Sequence, residues 1–88
     1  MTNTITKKTN ASIARKKLEL CEEIGNTFGT FYVDVSGIYT IDSLGQEYTY
    51  NSTDELLEDW LPKLIAEDED QQDDYWSETI DFIRDYVL

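Results

Sequence analysis

The chain has 88 residues, of which 30% are charged and 40% hydrophobic, and its 19 acidic and 7 basic residues give a net charge of -12. This composition is typical of one small globular domain rather than of a disordered segment. The sequence has no histidine and a single cysteine, which excludes histidine-dependent nucleophilic sites, histidine–cysteine zinc sites and an internal disulfide. No apolar run exceeds three residues, so we expect no membrane span, no signal peptide and a cytoplasmic protein.

The charge is distributed unevenly along the chain. Residues 1–53 carry six acids and five bases, whereas residues 54–88 carry thirteen acids and two bases. An acidic surface repels nucleic acid and anionic membranes, and it attracts basic protein surfaces. We therefore expect a basic nucleic-acid-binding protein as partner, with no direct binding to nucleic acid or membrane. Solubility alone is the alternative explanation of the charge.

The N-terminal third is predicted to contain a tail and a helix. Residues 1–9 lack hydrophobic periodicity and are predicted to be a flexible basic tail, so that the folded domain spans residues 10–88. Asn10 is the candidate N-cap of a helix that ends near Ile24, with Gly25 just past its end. Cys21 lies on the apolar side of this helix beside two glutamates, which favours a buried structural thiol over a reactive one.

The next segment alternates apolar and polar residues, which is typical of β-strands. Strands are predicted over residues 31–35, 38–42 and 47–50, with turns at Ser36-Gly37 and at residues 43–45. We prefer a three-residue first turn, which places one set of side chains on the buried face: Phe31, Val33, Val35, Tyr39 and Ile41. A two-residue turn would place Ile38 and Thr40 there instead.

Two helices are predicted in the C-terminal half. Ser52 and Glu55 form a capping-box pair at the start of the first, and Pro62 should kink or restart it. The acidic run over residues 67–74 is predicted to be a solvated connection, and the last helix runs from about residue 74 to residue 86. The predicted fold is a single α+β domain in the order helix, three-stranded antiparallel sheet and two helices (αβββαα). The predicted core comprises Phe31, Val33, Val35, Ile41, Leu57, Trp60, Leu61, Leu64, Trp76, Ile80 and Ile83.

The last helix carries an acidic face opposite its apolar face. Asp74, Glu78, Asp81 and Asp85 follow one another at steps of four, three and four residues, so they share one side of a helix. This spacing gives one charge per roughly 4–5 Å, close to the ~3.4 Å per phosphate along one DNA strand. A basic groove that holds nucleic acid is predicted to accept this surface, and an ordinary solvated helix face is the alternative.

The acidic residues form neither a calcium loop nor a catalytic pair. The spacing from Asp68 begins as in an EF-hand, but the sixth loop position is Asp73 instead of glycine and the twelfth is Thr79 instead of glutamate. Exposed carboxylates on so small a domain also lack the cleft that acid–base catalysis requires. We expect no enzyme activity, no metal and no cofactor.

A pattern in the second half of the chain is similar to that of a known family. The strand residues Glu47-Tyr48 precede a polar-capped amphipathic helix at Ser52 and Glu55, and an acidic stretch leads into Asp73-Asp74-Tyr75-Trp76. With the size and the element order, this pattern resembles a small prophage-encoded anti-CRISPR family that inhibits Cas9 by mimicking DNA at the PAM-reading site. By position, the resemblance implies four residues that face the basic partner: Asp70, Asp73, Asp74 and Tyr75. The basic tail and the Trp60-Leu61-Pro62 sequence have no counterpart in that family.

One function and one alternative follow. The first is an acidic inhibitor or adaptor that acts as a DNA mimic towards a basic nucleic-acid-handling protein of a Cas9-like or restriction type. The alternative is a small mobile-element accessory or antitoxin-like module that binds another protein through its aromatic sheet face, without DNA mimicry. We expect a monomer or a weak dimer. The candidate partner-binding residues are Asp68, Glu69, Asp70, Asp73, Asp74, Tyr75, Glu78, Asp81 and Asp85.

Overall fold

The computed structural model of the protein describes residues 2–71 and 74–88, with side chains from Ala11 onward. Its elements follow in the order α1 (Thr2–Phe28), β1 (Thr30–Val33), β2 (Tyr39–Ser43), β3 (Gln46–Tyr50), α2 (Thr53–Gln71) and α3 (Ser77–Tyr86). The strands form one antiparallel sheet in the order β1-β2-β3. The predicted α+β fold and its element order are confirmed. Among the candidate partner-binding residues, Asp73 lies outside the described residues.

Helix α1 is longer at both ends than the sequence pattern predicts. It begins at Thr2, so Asn10 lies inside the helix and is not its N-cap. It continues to Phe28, so Gly25 is an interior residue and does not end the helix. Gly25 is buried because Phe31 of β1 packs tightly against it, and a Cβ at this glycine would lie only 2.4 Å from the Phe31 Cβ. The division into a flexible tail over residues 1–9 and a domain over residues 10–88 stays a prediction.

A three-residue turn joins β1 to β2, as we prefer from the sequence. The backbone N–H of Asp34 donates to the carbonyl of Ile38 at 3.1 Å, and Gly37 has a positive φ of 85°. Hairpin turns of this length commonly end on a left-handed residue, a conformation that glycine adopts at no steric cost. The resulting register pairs Phe31 with Ile41, so both side chains lie on the same face of the sheet.

Two residues of the predicted core are instead exposed. Val35 lies in the turn itself and is fully exposed, and Val33 ends β1 with 45% of its surface exposed. β1 is an edge strand of only four residues, so the alternating pattern of the sequence continues past the point where the strand stops. Phe31, nearer the start of β1, is half-buried and packs against the core.

The turn between β2 and β3 consists of Leu44 and Gly45, which have positive φ angles of 55° and 81°. Ser43 and Gln46 pair on either side of it, as in a two-residue type I′ turn. Such turns usually carry Asn-Gly, because a left-handed backbone brings the Cβ of a larger residue too close to the following carbonyl oxygen. Leu44 therefore destabilises the turn by roughly 1–2 kcal/mol, and its side chain is fully exposed.

The hydrophobic core lies between α1, α2 and the sheet, and α3 packs against α2. Helix α2 contributes five buried residues to it: Leu56, Leu57, Trp60, Leu61 and Leu64. The predicted core residues that are buried are Ile41, Leu57, Trp60, Leu61, Leu64, Trp76, Ile80 and Ile83. The sequence-based core omitted four further buried hydrophobic residues: Leu20, Cys21, Ile24 and Leu56.

The start of α2 is capped as predicted. Ser52 Oγ accepts a hydrogen bond from the N–H of Glu55 at 3.2 Å, and Glu55 Oε2 accepts one from the N–H of Asn51 at 2.8 Å. These contacts satisfy backbone donors that have no partner inside the helix.

Helix α2 then passes through Pro62 and ends at Gln71 as a single element. Pro62 therefore does not restart the helix, and residues 67–71 are helical rather than a solvated connection. Proline removes one backbone hydrogen bond from a helix interior. The buried residues Trp60, Leu61 and Leu64 on either side of it hold α2 against the core.

Candidate partner-binding surface

Three of the predicted partner-binding carboxylates belong to α3. Glu78, Asp81 and Asp85 are exposed, and their spacing places them on one side of the helix, opposite the side that packs into the core. Helix α3 begins at Ser77 and not at Asp74. Asp74 lies in the preceding turn, where its carbonyl oxygen accepts a hydrogen bond from the N–H of Ser77 at 3.1 Å. The predicted stripe thus consists of three carboxylates on α3 and one in the turn before it.

The acidic residues at the end of α2 differ in their surroundings. Asp68 is half-buried, and its Oδ1 accepts a hydrogen bond from the backbone N–H of Trp76 at 3.0 Å. This contact gives Asp68 a structural role that sequence reasoning missed, because the two residues belong to different elements. Glu69 and Asp70 are exposed.

Tyr75 lies in the turn between α2 and α3, with 63% of its surface exposed. Its hydroxyl donates to Glu23 Oε2 of α1 at 3.3 Å, and its ring meets that of Trp76 edge-on, with 4.9 Å between the centroids. The negative charge of Glu23 raises the pKa of the Tyr75 hydroxyl. Tyr75 therefore connects this turn to α1 while most of its surface stays exposed.

Many of the acidic residues that precede Asp68 are engaged within the fold. Asp54 pairs with Lys17 of α1 at 2.8 Å, and Asp59 Oδ2 accepts a hydrogen bond from the Tyr50 hydroxyl at 2.5 Å. The engaged residues of this part are Glu23, Asp34, Glu47, Asp54, Glu55, Asp59 and Glu67. Of the four acidic residues in the first part of α2 (Asp54, Glu55, Glu58 and Asp59), all but Glu58 are thus engaged by contacts inside the protein.

The C-terminal carboxylates contrast with these. Within residues 11–71 and 74–88, one set of exposed acidic side chains beyond Asp68 forms no hydrogen bond or ion pair: Glu69, Asp70, Asp74, Glu78, Asp81 and Asp85. We call these six residues the C-terminal acidic surface. Of the six, Glu78 lies in the first turn of α3, where negative charge is favourable.

A groove of about 540 Å³ lies between the end of α1, the β2–β3 turn and α2. Trp60 is the most buried of the aromatic residues that line it, and its ring stacks on Phe28 at 5.3 Å and meets Tyr48 edge-on at 5.7 Å. Leu44, Asp59 and Lys63 also line the groove. We call it the aromatic groove.

Hydrogen bonds fix the position of the Trp60 indole. Its Nε1 donates to the Tyr50 hydroxyl at 2.9 Å, and that hydroxyl donates to Asp59. Sequence reasoning missed the aromatic groove, because its walls come from α1, the second hairpin and α2. The signal available in the sequence was Leu44 before Gly45, where a two-residue turn usually carries asparagine.

Cys21 is fully buried, and its thiol donates to the carbonyl of Thr53 at 3.8 Å. Burial, together with the negative charges of Asp54 and Glu22, raises the pKa of the thiol to about 12. A thiol that stays protonated is a weak nucleophile and a weak metal ligand. The predicted burial of this thiol is confirmed.

Neither a metal site nor a membrane helix is found in the described part of the chain. Over residues 2–71 and 74–88, no group of three or more Cys, Asp or Glu side chains is placed to hold a metal ion. In those same two ranges, no helix has both the length and the apolar character needed to cross a membrane.

The chain matches no family model, and neither a curated protein nor a solved structure is significantly similar to it. The resemblance to Cas9 inhibitors therefore stays a prediction. The function is inferred from the arrangement of the side chains.

Proposed function

We propose that this protein is an acidic inhibitor or adaptor that binds a basic nucleic-acid-handling protein at the site where that protein holds DNA. The observation that supports the proposal is the C-terminal acidic surface, whose six carboxylates are exposed and form no hydrogen bond or ion pair within residues 11–71 and 74–88. A net charge of -12 attracts a basic groove and repels nucleic acid, which are the two properties a DNA mimic requires.

The spacing of the charges supports mimicry of a phosphate backbone. Glu78 and Asp85 lie about 10 Å apart along the axis of α3, so the three carboxylates of this helix provide one charge per about 5 Å. One strand of duplex DNA provides one per ~3.4 Å, and Asp74 continues the series before the helix begins. Like charges at this spacing repel one another and destabilise a helix slightly, although Glu78 in the first turn of α3 interacts favourably with the helix dipole.

Competition with DNA tests the proposal. Purified Cas9–guide complexes and restriction nucleases are loaded with a labelled DNA target, and displacement of the DNA by the protein is measured at about 50 mM and about 200 mM salt. We expect displacement that weakens as the salt concentration rises, because exposed charges are screened. We also expect the protein alone not to bind duplex DNA. The proposal would be contradicted if the protein displaced DNA from none of these enzymes, or if the protein itself bound DNA tightly.

Two triple variants separate the position of the charges from the net charge. The test variant is Glu78→Gln with Asp81→Asn and Asp85→Asn. The control variant is Glu19→Gln with Glu22→Gln and Glu58→Gln, which removes the same number of charges from exposed residues elsewhere. We expect the test variant to weaken displacement by at least about tenfold and the control to change it far less.

Circular dichroism establishes that both triple variants stay folded. Equal losses in the two variants would show that only net charge matters, and an unchanged test variant would overturn the mimicry. Loss of binding on replacement of Tyr32 alone, with the test variant unaffected, would instead support an interaction through the sheet.

A further inference from the structure

The proposed function does not account for Leu44. This residue is fully exposed and has a positive φ of 55°, in a turn that favours asparagine or glycine at its position. A large apolar side chain held in this backbone conformation destabilises the chain and gains no burial in return. Local strain at an exposed position points to a contact with another molecule.

We propose that Leu44 and the aromatic groove form a self-association surface, in which two copies of the chain related by a two-fold axis each insert Leu44 into the aromatic groove of the other. A two-fold interface requires a surface patch that is complementary to itself. Leu44 protrudes at the edge of the aromatic groove, whose volume is about 540 Å³. Each copy therefore carries both the side chain that inserts and the groove that receives it. The hydrogen bond from Trp60 to Tyr50 fixes the shape of the aromatic groove before the second copy binds.

The two charged residues that line the aromatic groove can also pair with those of a second copy. Asp59 and Lys63 lie one helical turn apart on α2 and carry opposite charges, so each can face its opposite in a copy turned by the two-fold axis. Asp59 uses Oδ2 for the Tyr50 hydroxyl, and Oδ1 forms no hydrogen bond or ion pair within residues 11–71 and 74–88. Lys63 lies 5.6 Å from the centre of the Phe28 ring and 3.3 Å from Glu67. Its ammonium group is therefore held at the edge of the groove.

Net charge gives this association a distinctive salt dependence. Each copy carries a charge of -12, so the two copies repel one another at low ionic strength. Salt screens this repulsion and leaves the apolar contact intact, so the dimer should strengthen as salt is added. Binding to a basic partner should weaken under the same change. The two proposals can therefore fail independently.

Sedimentation velocity on the full chain, over a range of protein concentrations at low and high salt, tests the proposal. We expect a monomer–dimer equilibrium whose dimer fraction rises with salt. Leu44→Asn should raise the dissociation constant by at least about tenfold, because each copy loses its inserted side chain. Val35→Asn is the matched control, since Val35 is the fully exposed apolar residue of the other turn, and it should leave the equilibrium unchanged.

Three results would overturn the proposal. A monomer at every concentration and salt would do so, and it is also the result expected if the aromatic groove serves only an unrelated protein. A dimer that tolerates Leu44→Asn, or one that dissociates as salt rises, would place the contact elsewhere on the molecule. Circular dichroism of the Leu44→Asn protein ensures that a loss of dimer is not a loss of fold.

Discussion

Asp68 Oδ1 accepts a hydrogen bond of 3.0 Å from the backbone N–H of Trp76, across the connection between α2 and α3. Trp76 is the residue at the N-terminal cap of α3 and forms no capping hydrogen bond with its own side chain. A carboxylate from α2 therefore lies close to the N-terminal end of α3, where negative charge is favourable. One acidic residue of the C-terminal third thus connects two helices.

Replacing this carboxylate should destabilise the fold. Asp68→Ala should lower the free energy of unfolding by about 1–3 kcal/mol, because a partly buried N–H loses its charged acceptor. Glu69→Ala removes the neighbouring exposed carboxylate and should change it by less than about 0.5 kcal/mol. Urea unfolding followed by tryptophan fluorescence measures both variants. Equal stabilities would show that the hydrogen bond to Trp76 contributes nothing.

Truncation of Trp60 should have the largest effect on stability. Its ring packs on Phe28 and Tyr48, and its Nε1 donates to Tyr50. Trp60→Ala should cost about 3–5 kcal/mol, which would unfold much of a domain of this size. Trp60→Phe keeps most of the packing but loses the hydrogen bond, so a cost nearer 1 kcal/mol is expected. A Trp60→Ala protein with the parent's near-UV dichroism and melting temperature would contradict the packing described.

Leu44→Asn should stabilise the monomer, because asparagine tolerates the left-handed conformation of this turn. We expect a gain of about 1 kcal/mol in the free energy of unfolding, measured at a protein concentration low enough to avoid association. Gly45→Ala should have the opposite effect, since φ at this position is 81°. A Leu44→Asn protein that is less stable than the Gly45→Ala protein would show that the turn is not of type I′.

The buried thiol should make the fold less stable in alkaline solution. Burial raises the pKa of Cys21 from 9.0 to about 12, so between these values the unfolded chain releases a proton that the folded chain keeps. The unfolded state then binds fewer protons, and the free energy of unfolding falls as the pH rises. Below pH 9.0 the contribution of the thiol is fully present.

Cys21→Ala is the variant that checks this dependence. Its overall stability should be lower, because a cavity forms, but its loss of stability between pH 9 and pH 11 should be smaller than that of the parent. Burial and Asp59 also raise the pKa of Tyr50, and this contribution is common to both proteins. Denaturant titrations across this pH range give the two slopes, and equal slopes would contradict the assignment.

The sequence patterns correctly predicted the features that depend on contacts between residues close together in the chain. The alternation of the strands and the preference for a three-residue turn were sufficient to place Phe31 and Ile41 on the same face of the sheet, because one residue of slip would reverse every side chain. Ser52 and Glu55 form their predicted cap within a few residues of chain. The exposure of the α3 carboxylates follows in the same way from the period of the helix.

The features that the sequence did not predict depend on how residues far apart in the chain are placed against one another. Residues 67–71 stay helical although their charges repel, and the hydrogen bond from the Trp76 N–H to Asp68 supports this end of α2. Val33 has a strand-like pattern but lies at the end of a short edge strand. Neither these contacts nor the aromatic groove can be inferred before the elements are placed against one another.

The close approach of α1 to β1 limits how this protein can diverge during evolution. A methyl group on Gly25 would lie 2.4 Å from the Phe31 Cβ, closer than two non-bonded carbon atoms can pack. A side chain at position 25 would therefore require α1 and β1 to move apart, because every residue except glycine keeps a Cβ at position 31. The carboxylates of α3 have no such neighbour and can exchange places while the surface stays acidic. Distant homologues should then be recognised by a glycine inside the first helix, six residues before an aromatic residue of the first strand, and not by their acidic sequence.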